Sequence, residues 1–244
     1  MKTGQLSLGR AVAIVGAVLA LLLSFAPPPA SADTFSYTLS VPNTAISSDT
    51  GPYATVTVNR SSSTTATVTF NSLTNGGFIY LMGDGSSAGV NVNASSFSLT
   101  GVSGTNSLGL GFTPGPFTVA NPPGTSNVDG FGLFNGVVNS FDGFTHTSTQ
   151  ISFTLTDLSG TWASAAAVLA ANAKGALAEV HVFACANSPF PCTSITGATN
   201  TGFAANGGAT VPEPSTLTLL GPGLVGVGVL LRKRLFKRGL REAV

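Results

Sequence analysis

The amino-acid sequence predicts an all-β fold: an antiparallel β-sandwich or jelly-roll-like domain with one short helix, between two apolar terminal segments. Three observations carry this. Apolar residues alternate with Ser and Thr at period two in at least four stretches. Clusters of Gly, Pro, Asn and Asp punctuate those stretches at short intervals. Long apolar runs occur only near the ends of the 244 residues, which leaves about 180 residues for one well-buried core.

The chain begins with Lys2 and Arg10, then an apolar run from Ala11 to Leu23, then Pro27-Pro28-Pro29 and Ala30-Ser31-Ala32. A basic start, a short apolar middle and a small-residue exit read as a secretory signal peptide over residues 1–32, cut by signal peptidase after Ala30-x-Ala32. The run is shorter than a bilayer-spanning helix needs, and the prolines keep the cleavage site extended. The mature chain is then expected to start at Asp33, outside the cytoplasm.

Residues 33–196 form the expected extracytoplasmic domain. Phe35, Tyr37, Leu39 and Val41 alternate with Thr34, Ser36, Thr38 and Ser40. Ala54, Val56 and Val58, then Ala66, Val68 and Phe70, then Ile151, Phe153 and Leu155 repeat the pattern with Thr, Asn and Ser between them. Each strand thus has one apolar and one hydroxyl face, as in an antiparallel sheet with one wet side. Turns are expected at Asn75-Gly76-Gly77, Gly83-Asp84-Gly85, Pro114-Gly115-Pro116, Asn121-Pro122-Pro123-Gly124 and Asp142-Gly143. Residues 162–173, alanine-rich with Thr161 as N-cap and Gly175 as stop, predict the single helix. Residues 176–184 predict a further strand. Residues 197–210, rich in Thr, Asn, Ala and Gly, predict a flexible linker.

Charge narrows the function. Charged residues make up 8% of the chain, against roughly 25% in ordinary soluble proteins. Between Asp33 and Thr210 there are seven acids and only Arg60 and Lys174 as bases. Such a region cannot neutralise many phosphates, so nucleic acid is excluded as the expected partner. The last 13 residues reverse the balance, with six bases and one acid.

The C-terminal features come in a fixed order. Val211-Pro212-Glu213-Pro214 is held extended by its prolines. Residues 215–231 follow without a charge, predicting a transmembrane helix about 25 Å long. Arg232-Lys233-Arg234 then form a stop-transfer cluster, which places that end in the cytoplasm and the β domain outside. A basic cytoplasmic tail covers 237–244.

These residues resemble the PEP-CTERM sorting signal, over residues 211–236. The resemblance implies an exported protein of a Gram-negative bacterium, recognised by a membrane-embedded exosortase. It implies processing near Pro212-Glu213-Pro214 and an inner-membrane stage before delivery to the cell surface or extracellular matrix. It also implies extracellular polysaccharide as a neighbour. The order of Trp162, Val168-Leu169, Asn172, Gly175 and His181-Val182-Phe183 resembles a recurring extracellular domain found ahead of such tails.

Candidate chemistry in the domain is sparse. Cys185 and Cys192, the only cysteines, read as a disulfide in an exported chain. Metal binding by His181, Cys185 and Cys192 lacks an evident fourth ligand. Gly85-Ser86-Ser87-Ala88-Gly89 fits the pattern of a hydrolase nucleophile elbow, with Asp142 and His146 or His181 following in order. No helix is expected after Ser87, so a hairpin turn is the simpler reading. His181 is expected on the polar face of its strand. Asp129, Asp142 and Glu179 meet the count, but no spacing, for paired glycosidase carboxylates. Asn127-Val128-Asp129-Gly130 could offer oxygens to calcium, although turns need the same residues. The Thr rows at 55–57 and 65–69 read as a solvated sheet face, with ice binding as the sharper alternative. The expectation is a non-catalytic protein without metal or cofactor. A displayed carbohydrate-binding module is the alternative and a secreted hydrolase the third possibility.

Overall fold

The computed structural model describes residues 32–107, 112–120, 125–141, 143–186 and 198–207. The expected signal peptide up to Ser31, including Ala30, and Asp142, Cys192, the sorting motif 211–236, the apolar span 215–231 and the tail 237–244 lie outside those residues. The described residues fall in one compact unit that ends at Gly207.

The strands in order are β1 (Asp33–Leu39), β2 (Val41–Pro42), β3 (Ala54–Arg60), β4 (Thr65–Ser72), β5 (Thr74–Asn75), β6 (Phe78–Met82), β7 (Ala88–Val90) and β8 (Phe97–Thr105). They continue with β9 (Phe117–Val119), β10 (Ser126–Val128), β11 (Gly132–Phe134), β12 (Gly136–Ser140), β13 (Gln150–Asp157), β14 (Ala178–Ala186) and β15 (Ala198–Ala205). All described pairings are antiparallel. The fold is therefore all-β, as the alternation predicts.

The four alternating stretches lie together in a five-stranded sheet of order β1-β3-β4-β13-β8. Leu39, Ala54, Val56, Val58, Ala66, Val68, Phe70, Ile151, Phe153 and Leu155 turn to its buried side. A one-residue slip would exchange these for the hydroxyl row, so burial fixes the register. An eight-stranded sheet runs β2-β15-β14-β7-β12-β9, with β6 on β14 and β5 on β6. Tyr80, Met82, Val90, Val138, Val180 and Val182 are buried along it. At Ser40 the chain leaves the first sheet, and Val41-Pro42 pairs with β15 in the second. The β5–β6 turn has Gly76 at φ 56° and Gly77 at φ 84°, a pairing of positive φ that suits a tight hairpin.

Two expectations are corrected. The helix over 162–173 does not form; only Ala165–Ala167 makes one 3₁₀ turn. Its backbone groups are spent elsewhere: Trp162 N–H donates to Ser63 O (2.7 Å), Asn93 N–H to Val168 O (2.9 Å) and Ala170 N–H to Asn91 O (2.9 Å). Trp162 is buried and its Nε1 donates to Asn93 O at 2.9 Å. Docking this segment on residues 91–93 outweighs the helix propensity of alanine, as tertiary context often does. The linker over 197–210 is also largely a strand. β15 pairs with β14 from Glu179–Ala205 to Cys185–Ala198, and the small residues that suggested mobility are what close packing there requires. Gly202 shows why: a Cβ on it would lie 2.6 Å from Asn43 Oδ1.

Candidate functional site

The candidate sorting residues Val211, Pro212, Glu213, Pro214, Arg232, Lys233 and Arg234 follow the described strands, so the site is approached from the last of them. β15 leads out of the second sheet between β14 and β2. Just past its end, Asn206 is buried and its Oδ1 accepts from Leu177 N–H (2.8 Å) and Ala178 N–H (3.0 Å). This amide clamp fastens the chain immediately ahead of the tail. The strand reading did not single out Asn206; its signal was an Asn-Gly-Gly stop at the end of a Gly202, Ala204 alternation.

At the other end, Ala32 directly precedes β1. Asp33, the expected first residue of the mature chain, accepts from Arg60 Nε at 2.7 Å and from Ala165 N–H at 2.6 Å. Arg60 is buried, so this ion pair closes the first corner of the sheet. Cys185 is buried in β14 against Ile79, Leu81, Phe144 and Phe183. No described cysteine is a free thiol. Its expected partner Cys192 lies outside the described residues.

The hydrolase-like residues do not converge. Ser87 is fully buried in the β6–β7 turn; its hydroxyl donates to Asp84 O (2.6 Å) and accepts from Ser140 N–H (2.7 Å). Asp84 and Ser86 carry the turn at φ 67° and 54°. His146 Nδ1 bonds the carbonyls of Thr113 (3.1 Å) and Gly115. His181 Nε2 lies 2.9 Å from Thr201 Oγ1, and its ring stacks on Phe203 with centroids 4.4 Å apart. His181 is thus covered rather than on an open polar face, and burial lowers its pKa against the opposing pull of Asp84.

Glu179 occupies the same side of β14. It is fully buried, neither carboxylate oxygen has a partner, and burial raises its pKa well above the ordinary value. The carboxylate lies across Gly89, where a Cβ would come within 2.1 Å of Oε1; only glycine fits. Asp129 Oδ2 accepts from Asn43 Nδ2 at 3.2 Å in the β10–β11 turn. Among the described residues no three His, Cys, Asp or Glu side chains gather as a metal site.

No helix among the described residues is long and apolar enough to cross a membrane, and residues 215–231 are not among them. No curated protein and no solved structure matches the chain. The family comparison meets the tail alone: residues 210–234 match the PEP-CTERM protein-sorting motif, a signal of exported, membrane-sorted proteins that exosortase processes in Gram-negative bacteria.

Proposed function

We propose that this chain is a non-catalytic surface or extracellular-matrix protein, exported by its N-terminal signal and released through its C-terminal one. Signal peptidase removes residues 1–32. The apolar span 215–231 then holds the chain in the inner membrane, with Arg232, Lys233 and Arg234 keeping the end inside. Exosortase cuts near Pro212-Glu213-Pro214 and delivers the β domain to the surface. The matched motif at 210–234 carries this reading.

Several features support the finer points. Contacts of β1 with β14 and β15, and of β4 with β6, favour a β-sandwich built from the two large sheets. The buried, doubly bonded Ser87 favours a structural turn over a nucleophile. A buried Cys185 near the end of β14 favours a bridge to Cys192 in an oxidising compartment.

The test is processing in the native host. Replacing Pro212, Glu213 and Pro214 together by Ala should leave full-length protein in the inner-membrane fraction. A wild-type mature C-terminus in that variant, read by mass spectrometry, would overturn the sorting role.

A further inference from the structure

We propose that the outward face of the β1-β3-β4-β13-β8 sheet, together with the cavity at its Asn71–Gln150 end, binds an uncharged polysaccharide. The proposal rests on the export reading for where such a polymer is met.

The face is a grid of hydroxyl and amide groups in register. One row crosses the sheet as Thr34, Asn59, Thr67, Thr154 and Thr100. The next is Ser36, Thr57, Thr69, Ser152 and Ser103. The third is Thr38, Thr55, Asn71, Gln150 and Thr105. Neighbouring hydroxyls bond across strands, with Ser36 Oγ to Thr57 Oγ1 at 3.0 Å and Thr69 Oγ1 to Ser152 Oγ at 3.1 Å. Rows are about 7 Å apart along the strands and strands about 4.8 Å apart, so the grid is dense and regular.

The face carries no charge. The five strands contain only Asp33, Arg60 and Asp157 as charged residues. Arg60 and Asp157 are buried, and Asp33 pairs with Arg60. A polyanion would need bases that are absent here. A protein partner would need aromatic, Met or Arg anchors, and the three rows have none. What the rows offer is groups that both donate and accept, the chemistry of another hydroxyl-rich surface.

The third row runs into a cavity of about 200 Å³ lined by Asn71, Gln150, Thr105, Thr74, Ser107 and Ile79. Gln150 Nε2 donates to Asn71 Oδ1 at 2.8 Å. That single bond leaves the Gln150 carbonyl oxygen and the Asn71 amide hydrogens to a ligand, an acceptor and a donor side by side, as two adjacent sugar hydroxyls require. Ile79 supplies an apolar wall for the C–H face of a ring. The volume is below the about 300 Å³ at which drug-sized pockets begin, so it suits one ring of a chain whose remainder lies along the rows.

The test uses the full-length protein in detergent, run in native gels cast with dextran, mixed-linkage β-glucan or galactomannan, and with alginate as the anionic control. At least one neutral polymer should retard it, equally at low and high salt, and alginate should not. Gln150→Ala and Thr69→Lys should each weaken retardation about tenfold with unchanged melting temperature. No retardation by any neutral polymer, or equal retardation of wild type and both variants, would overturn the proposal. So would shaping of ice crystals without glycan retention, which would assign the rows to ordered water. Binding is read on purified chain, so a failure of exosortase processing in cells leaves this result standing, and the reverse holds too.

Discussion

Glu179 shows how much one side chain can impose. A carboxylate without a partner in a dry site is disfavoured as an anion, so burial raises its pKa well above the ordinary value. Its folded pKa lies above the unfolded value of 4.5, so the native state binds the extra proton. The stability this contributes is present below pH 4.5 and is lost as the pH rises above it. His181 works in the opposite sense: its lowered pKa gives stability present above pH 6.5 and lost below. Urea titrations of wild type and Glu179→Gln at several pH values should therefore converge at acid pH and separate toward pH 8, with the variant the more stable. Parallel curves at all pH values would contradict the assignment. The sequence places Glu179 on a strand, but period two alone sends it to the wet side with His181. What sets it apart is its register partner Gly89 on the three-residue strand β7, a pairing too short and too distant in sequence for alternation to reveal.

Elements in this chain are tied by side-chain amides where other proteins use ion pairs. Asn172 Nδ2 donates to Phe131 O (2.9 Å) and Leu133 O (3.1 Å), and its Oδ1 accepts from Lys174 N–H (2.9 Å) and Ala176 N–H (3.0 Å). It therefore fixes the β10–β11 hairpin, which buries Val128, Phe131 and Phe134 with Val137, Ala176 and Ala205. Asn135 does the same to Val92, bonding both its N–H and its carbonyl at 2.7 and 2.9 Å. Asn172→Ala should cost about 2 kcal/mol in urea unfolding. Amide exchange at Phe131 should accelerate while β13 stays protected; a uniform loss across both would show that the hairpin is not a separate unit. Four strands of the five-stranded sheet, β1, β3, β4 and β13, were legible because each is long enough to alternate; β8, broken by Gly101 at φ 63° and a register shift against β13, was not. The missing helix at 162–173 was misread because its alanines satisfy helix propensity equally well while packing as an extended loop, and only the partner segment 91–93 decides between the two.

For the molecule as a whole, the sorting tail was the legible part. It is a linear signal, read by composition and order without knowledge of pairing. Strand order is different, since β13 must find β4 and β8, and nothing local says so. The cysteine pair belongs to this scale because it reports the compartment. Mass spectrometry under non-reducing conditions should recover one peptide pair linking Cys185 to Cys192, and the loop is short enough that the bridge adds about 2–3 kcal/mol at most. Two alkylatable thiols in protein isolated from the host would contradict the oxidising location.

The pairing of Pro42 with Ala204 sets an order of events. A chain threaded head first through the envelope presents β2 early and must wait about 160 residues for β15, the strand that joins β2 to β14. Closure of that sheet is thus a late, long-range step of the slow kind. The five-stranded sheet needs no residue beyond Asp157, so the strand that seals the second sheet is also the last described strand before the sorting motif.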